Sequence, residues 1–439
     1  MIDKYYNGVI EQVVSGIGNV EHNSILVRYS NDFSIWDLES VNHYKDQSDI
    51  FFTCHEFSYN KIAEAYEPYL GLIRQMFHRY CSGTLEEFME ECDVYKLQRP
   101  VFESYFENGF CERTEQILID EVEYEQERMR NSIVTMLQKL SEIRPVVIVL
   151  NRFQLASKST MQLTNSLLQV KNKNIGIVLG VNDVQSIPEF AHEEWDAICE
   201  SMDDRNMVYH IGNAGRNMEP DVMDYYSDYE SDDGYRKLNN LVYFLDFDQA
   251  DHHLSKIERR IKFDNFTISE KKHYQLLLLQ IMVSVLQRDI AKALESCEDL
   301  EKLQDQEKEG AFYYNFWMAT SYMYLGKLEE AMIYVQKAKE CGEALGDDFL
   351  VFRAELLKAQ NQMSGWCNIF FCAQDIEISD KLIEKLNAYH YKNHLAHIYI
   401  YAYDNKPEIV AKAYRSEAFL IYFSKGVALA KEIGNEQLI

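Results

Sequence analysis

Residues Arg144 to Leu155 read RPVVIVLNRFQL, and the unbroken run Val146, Val147, Ile148, Val149, Leu150 is the segment that most narrows what this chain can become. A strand with one face in water alternates apolar and polar residues, whereas one covered on both faces is apolar throughout. The run therefore predicts a parallel strand inside a sheet, with helices on both sides. It ends in Asn151 and Arg152. A strand end that held Mg²⁺ for phosphoryl transfer would present a carboxylate, which a neutral amide and a cation do not supply. A binding or signalling role is thus expected ahead of catalysis.

The surrounding sequence supplies the rest of a sheet. SILVRY from Ser24, DIFFTCHEF from Asp49, and NIGIVLGVND with Ile175, Ile177, Val178 and Leu179 are further strand candidates. Between them, IWDLESVNHYK, Lys61–Tyr80 (Leu70, Ile73, Met76 and Phe77 near helical spacing), Glu115–Ile143 and Ser157–Val170 predict helices. Helices alternating with short apolar strands predict an open, largely parallel α/β sheet over residues 1–200. Then the character changes. Glu219–Asp233 reads EPDVMDYYSDYESDD, with seven acids and no Lys or Arg, so residues 201–265 are expected to be an acidic insertion and helical linker. Tyr225, Tyr226 and Tyr229 within it follow no pattern.

Residues 266–439 show helical periodicity only. From Phe312 to Leu345, Ala319, Tyr322, Gly326, Ala331 and Ala338 fall at offsets 8, 11, 15, 20 and 27 of a 34-residue frame, the tetratricopeptide pattern. Small residues at three of those offsets let two antiparallel helices approach closely, Tyr322 fills their groove, and Gly326 starts the turn. Weaker echoes lie in Tyr274–Leu300 and Lys392–Leu429. Stacked hairpins make a concave surface that takes an extended peptide or a partner helix. Asn315, Tyr324, Arg353, Gln360 and His394, on the first helices of the pairs, are the candidate partner-binding residues. The sequence closes on LAKEIGNEQLI, which reads as the lead into another helix pair, so an output region is expected beyond it.

Composition limits the partners. With 439 residues, 47% of them hydrophobic, the chain can bury more than one core. Its formal charge of −27 repels phosphate backbones and anionic membranes, which argues against nucleic acid and membrane as partners. The nine cysteines are odd in number and lack CxxC spacing, so neither a disulfide framework nor a zinc ribbon is indicated, and a reducing, cytoplasmic setting is expected. MIDKYYNGVIEQ carries acids where a signal peptide has an apolar core.

Together, FFTCHEFSYNKIAEAYEPYLGLIRQMF, RPVVIVLNRFQLASKSTMQLTNSLL and NIGIVLGVND, followed by tetratricopeptide-like hairpins, give a chain that resembles the STAND class of signal-transduction ATPases, relatives of AAA+ proteins. The resemblance implies a bacterial regulator: a P-loop-like parallel sheet domain acting as a nucleotide switch, then superhelical repeats. Outputs in that class include DNA-binding and diguanylate cyclase domains, and no motif of either occurs in this sequence. The resemblance also implies a glycine-rich phosphate loop after the first strand, but Arg28–Ser40, RYSNDFSIWDLES, has no glycine and no lysine. Asn31, Asp32 and Ser34 stand there, and Asp32 and Asp37 would repel a polyphosphate. Asn151 and Arg152 occupy the second motif, and Asn182 and Asp183 stand where a sensor arginine is implied. The expectation is a pseudo-ATPase with no catalytic residue and no cofactor, whose repeats bind a protein or peptide. The alternative is a STAND-type NTPase with an unorthodox nucleotide site, decided by whether Asn31–Trp36 forms an anion-binding loop or plain helix.

Three other constellations carry less. His390, His394 and His397 share a helical face but show no Cys or carboxylate on it to complete a metal site. Cys54, His55 and Glu56 are adjacent in a strand, so their side chains alternate faces and cannot form a triad by themselves. Gly16 and Gly18 read as a turn.

Overall fold

The apolar runs form strands in a computed structural model that describes residues 2–19, 23–29, 34–45, 49–58, 61–111, 117–170, 172–182, 187, 189–203, 208–211, 231–263, 267–364, 380–402 and 417–439. Most of the acidic stretch 219–233, with its three tyrosines, lies outside them, as do Asn31, Asp32 and Asp183. The strands are β1 (Ser24–Tyr29), β2 (Phe51–Glu56), β3 (Val146–Asn151), β4 (Ile175–Asn182) and β5 (Val208–Ile211). They make one sheet in the order β2-β3-β4-β1-β5, every pair parallel. Leu26 pairs with Leu179 and Val208, and Ile148 pairs with Thr53 and Ile177. Every residue of β3 and β4 is buried, as their unbroken apolar character requires. The edge strand β5, VYHI, is too short to have stood out in the sequence.

The helices over residues 1–263 are α1 (Ile2–Gly16), α2 (Glu39–Tyr44), α3 (Tyr69–Tyr80), α4 (Leu85–Glu91), α5 (Arg99–Asn108), α6 (Val122–Ile143), α7 (Lys158–Gln169), α8 (His192–Asp203), α9 (Asp232–Tyr243) and α10 (Phe247–Phe263). The helix expected from Lys61 begins only at Tyr69, because the residue before Pro68 is driven out of the helical region and proline has no N–H to donate. The helix expected from Glu115 begins at Val122. Ser157 caps α7, its hydroxyl accepting from Thr160 N.

One face of the sheet is covered by α1, whose Tyr6, Val9, Ile10 and Val13 share a core with Ile25, Val27 and Tyr29 of β1, Val147 and Val149 of β3, and Val178 of β4. The contact is close because β4 offers no side chain there: a Cβ on Gly176 would lie 2.6 Å from Val13 Cγ1, and one on Gly180 would strike Tyr6 Oη. Glycine at these two positions lets the helix lie on the strand.

Packing divides the chain into Met1–Val94, Val101–Cys111 and Glu123–His253 as one unit, and Tyr95–Pro100, Glu112–Val122 and Leu254–Ile439 as the other. Sequence character placed transitions near 200 and 265; the division by packing falls after His253, and two short earlier segments belong to the second unit. That unit is helical throughout its described part, with α11 (Glu270–Leu286), α12 (Ile290–Glu301), α13 (Gly310–Tyr324), α14 (Leu328–Leu345), α15 (Asp348–Ser364), α16 (Asp380–Ala388), α17 (Lys392–His397) and α18 (Glu417–Ile433). The 34-residue frame is the α13–α14 hairpin. Ala319, Ala331 and Ala338 are fully buried, Gly326 has the left-handed φ of 73° that the turn requires, and Tyr322 stacks on Tyr334 at 5.5 Å. Ile119 joins the core of this hairpin array although it precedes the array by some 150 residues.

Candidate functional site

In an open parallel sheet, ligands bind beyond the carboxyl ends of the strands where neighbouring strands continue in opposite directions. Here β1 continues toward β2 across β4 and β3, and β4 continues toward β5 across β1, so the crevice belongs to β1 and β4. The described groups around it are Tyr29, Ser34, Glu56, Asn151, Arg152, Gly180 and Asn182, with Tyr6 of α1 over Gly180.

Several of these groups meet one another. Tyr29 Oη donates to Asn151 Oδ1 at 2.8 Å, both residues being fully buried. Glu56 Oε2 accepts from Ser34 Oγ at 3.0 Å and from Ile35 N at 3.2 Å. Glu56 Oε1 lies 3.5 Å from an Arg152 guanidinium nitrogen. Arg152 takes a left-handed backbone, φ 52°, which ends β3. Asn182 N donates to Gln154 Oε1 at 3.3 Å. Asn151 Nδ2 is buried with no hydrogen-bond partner among the described residues. Ser34 caps a single 3-10 turn, Ile35–Asp37, followed by α2, so the described part of Asn31–Trp36 is a helical turn. The group that sequence reasoning missed is Glu56: its carboxylate lies on the first described donors after β1, Ser34 Oγ and Ile35 N. Only its place at the end of FFTCHE pointed to it.

In the same unit lie two half-buried carboxyls, Glu64 and Glu67, and a buried one, Asp246. The segment 61–68 rests on the first turn of α7: Ser157 Oγ donates to Glu64 O at 3.0 Å, Thr160 Oγ1 to Glu67 O at 3.1 Å, and Tyr66 N to Ser159 Oγ at 3.2 Å. Ser159 N in turn donates to Asp246 Oδ2 at 2.9 Å. Burial, then the nearby Glu67, pushes Glu64 up to about 7. Burial likewise raises Glu67 and Asp246, and lowers His55 to about 4, its ring 3.5 Å from Glu67. Cys54 faces the α1 core, so Cys54, His55 and Glu56 do alternate as the strand requires.

In the helical unit the five partner-binding candidates separate. Tyr324 is exposed, and Arg353 and Gln360 are half-buried. The Arg353 guanidinium lies 4.3 Å from the Phe316 ring centre. Asn315 and His394 are not outward, as the repeat frame had suggested: both are buried, Asn315 donating to Ala311 O at 2.7 Å and His394 packing beside Tyr391. The periodicity located the helices but not the rotation of each about its axis. Among the described residues no three His, Cys, Asp or Glu side chains are grouped to hold a metal. His390 is exposed, while His397 meets a carboxylate from far away in sequence.

That carboxylate is Glu121, 5% exposed at its side chain. Oε1 accepts from His397 Nε2 at 2.9 Å and from Asn435 Nδ2 at 3.0 Å, and Oε2 accepts from Asn393 Nδ2 at 2.6 Å. Asn435 Nδ2 also reaches Asn393 Oδ1 at 2.8 Å, and Asn435 Oδ1 accepts from Gln437 N at 3.1 Å, so the two amides are oriented before any carboxylate arrives. Burial alone would raise Glu121, but these three donors hold it below the usual carboxylate range.

Fold and packing thus define a parallel α/β sheet unit and a unit of helical hairpins. The sequence matches no protein-family profile and no curated protein. The structure is similar to that of a signal transduction ATPase with numerous domains (STAND) protein with a tetratricopeptide repeat sensor from Pyrococcus horikoshii, with 13% identity and a TM-score of 0.38 over 95% of this chain and 76% of that one. No helix among the described residues is long and apolar enough to cross a membrane.

Proposed function

We propose that this is a non-catalytic signalling protein: a pseudo-ATPase sheet unit that neither binds nor hydrolyses nucleotide, coupled to repeats that bind a protein or peptide and pass that state to an output. The observation that carries the first part is Glu56. A phosphate entering the crevice would have to displace a carboxylate that already accepts from Ser34 Oγ and Ile35 N and lies beside Arg152. It would also gain no metal ligand from Asn151. The repeat part rests on the α13–α14 hairpin, whose type of array presents a concave surface for peptides. Calorimetric titration with Mg-ATP and Mg-ADP tests the sheet unit: no heat up to millimolar nucleotide is expected, and saturable micromolar binding would establish a nucleotide switch with an unorthodox site instead. Panning a displayed peptide library on the whole chain, with Arg353→Ala as counter-screen, tests the repeats. Peptides that lose binding on that substitution are expected, and their absence overturns the repeat reading.

A further inference from the structure

Asn393, His397 and Asn435 converge three donors on one point inside the helical unit, and the group that fills it comes from 272 to 314 residues away in sequence. Glu121 belongs to the excursion Glu112–Val122, in which the chain contributes to the second unit and then returns to the first. Its local structure is a three-residue 3-10 turn, Ile119–Glu121, with Glu121 N donating to Leu118 O. The hold on it is made by side chains: Ile119 in the core shared by the hairpins, and Glu121 in the cage. A short turn held by one apolar and one acidic side chain, rather than by backbone pairing, is a mode of attachment that a separate peptide can reproduce on a repeat surface.

We infer that Asn393, His397 and Asn435 form a receptor for an acidic side chain, and that its external ligand is a partner's peptide making a single turn, with a branched aliphatic residue two positions before a glutamate, for which the chain's own Ile119-Asp120-Glu121 is the resident stand-in. The inference rests on the proposed peptide-binding role of the repeats and specifies its chemistry. Two features suit the cage to an exchangeable carboxylate. Its amides are pre-oriented by the Asn435–Asn393 bond and by Gln437 N, so little ordering is needed when a new acid enters. Its three donors address both carboxylate oxygens, so a neutral amide cannot satisfy all of them.

The test uses the full chain and a fluorescent peptide with the sequence of residues 117–124, ILIDEVEY. A chain carrying Glu121→Ala, with its cage vacated, is expected to bind the peptide at least about tenfold more tightly than the parent chain, one charge-assisted hydrogen bond being worth roughly that factor. Peptide carrying Glu121→Gln should bind about tenfold more weakly, and Asn393→Ala added to the vacated chain should abolish binding. A folded Glu121→Ala chain that ignores the peptide, or takes the Gln form equally well, overturns the inference. Should Glu121→Ala fail to fold, hydrogen exchange on the parent chain decides: excess peptide must raise deuterium uptake at residues 117–122, and no change overturns the proposal. Library peptides that depend on Arg353 but are indifferent to Asn393→Ala would overturn the cage while leaving the repeat reading intact.

Discussion

The two units bury carboxyl groups in opposite ways. In the sheet unit Glu64, Glu67 and Asp246 are enclosed with too few donors to offset their burial, and all three are pushed above the ordinary range. In the helical unit Glu121, Asp299 and Glu355 meet lysines, amides or a histidine, and all three are held below it. The lesson is that burial by itself does not decide the protonation of an acid; the donors supplied with it do. The first arrangement favours a proton on the acid, and the second favours an anion.

The largest effect should be on pH dependence, where the units diverge. A carboxyl whose folded value is raised contributes stability that is full below its unfolded value and lost as pH climbs through the folded one. Glu64, raised from 4.5 to about 7, loses its contribution between those values, on the order of 3 kcal/mol. His55, lowered to about 4, works against this as pH falls below 6.5, leaving Glu67 and Asp246 to tip the balance. Acidification from pH 7 to 4.5 should therefore strengthen hydrogen-exchange protection in β3 and β4. The depressed acids have the opposite sign: their contribution is present above their unfolded values and lost as pH falls further, so protection in α13 and α14 should drop below pH 4.5. Parallel behaviour of the two units would break the comparison.

Close behind comes Glu121→Ala, which removes the shared acceptor of Asn393, His397 and Asn435 and should cost about 3 kcal/mol in urea unfolding. Asn151→Asp places a carboxylate in a fully buried site of the sheet unit. It should cost about 2 kcal/mol at neutral pH, less near pH 4 where the acid is protonated, and should restore no ATP hydrolysis in a phosphate-release assay. Gly180→Ala should cost about 2 kcal/mol by driving a Cβ against Tyr6 Oη and to 2.5 Å from Asn151 Oδ1, and Tyr6→Phe in the same chain should recover part of it. The smallest change is Arg152→Ala, where a partly exposed pair at 3.5 Å predicts about 0.5 kcal/mol.

What the sequence revealed follows the same division between local and distant causes. Four strands and the α13–α14 hairpin were legible because consecutive residues carry the pattern: five apolar residues in β3, alanines and glycine at fixed offsets in the repeat. The place of Asn151 and Arg152 at the end of β3 was legible too, since a strand end can be counted. Helix α1 was not, because Tyr6, Val9, Ile10 and Val13 acquire meaning only against Gly176 and Gly180. Glu56 was weighed as part of a triad rather than as a carboxylate lying on the donors that follow β1. The Glu121 cage was not legible, since Glu121 lies 272 to 314 residues from its donors and two of those are asparagines in otherwise ordinary sequence.

The strand order has a consequence for biosynthesis. β1 pairs with β4 and β5, and α1 lies on the glycines of β4, so neither α1 nor β1 has its seat until Asn182 has been made. At roughly 5–20 residues per second, the 150 or so intervening residues take about 10–30 s. For that interval an apolar strand and an amphipathic helix wait as unpaired nascent chain, so translation pauses or chaperone supply before residue 182 should govern yield more than any substitution in the repeats.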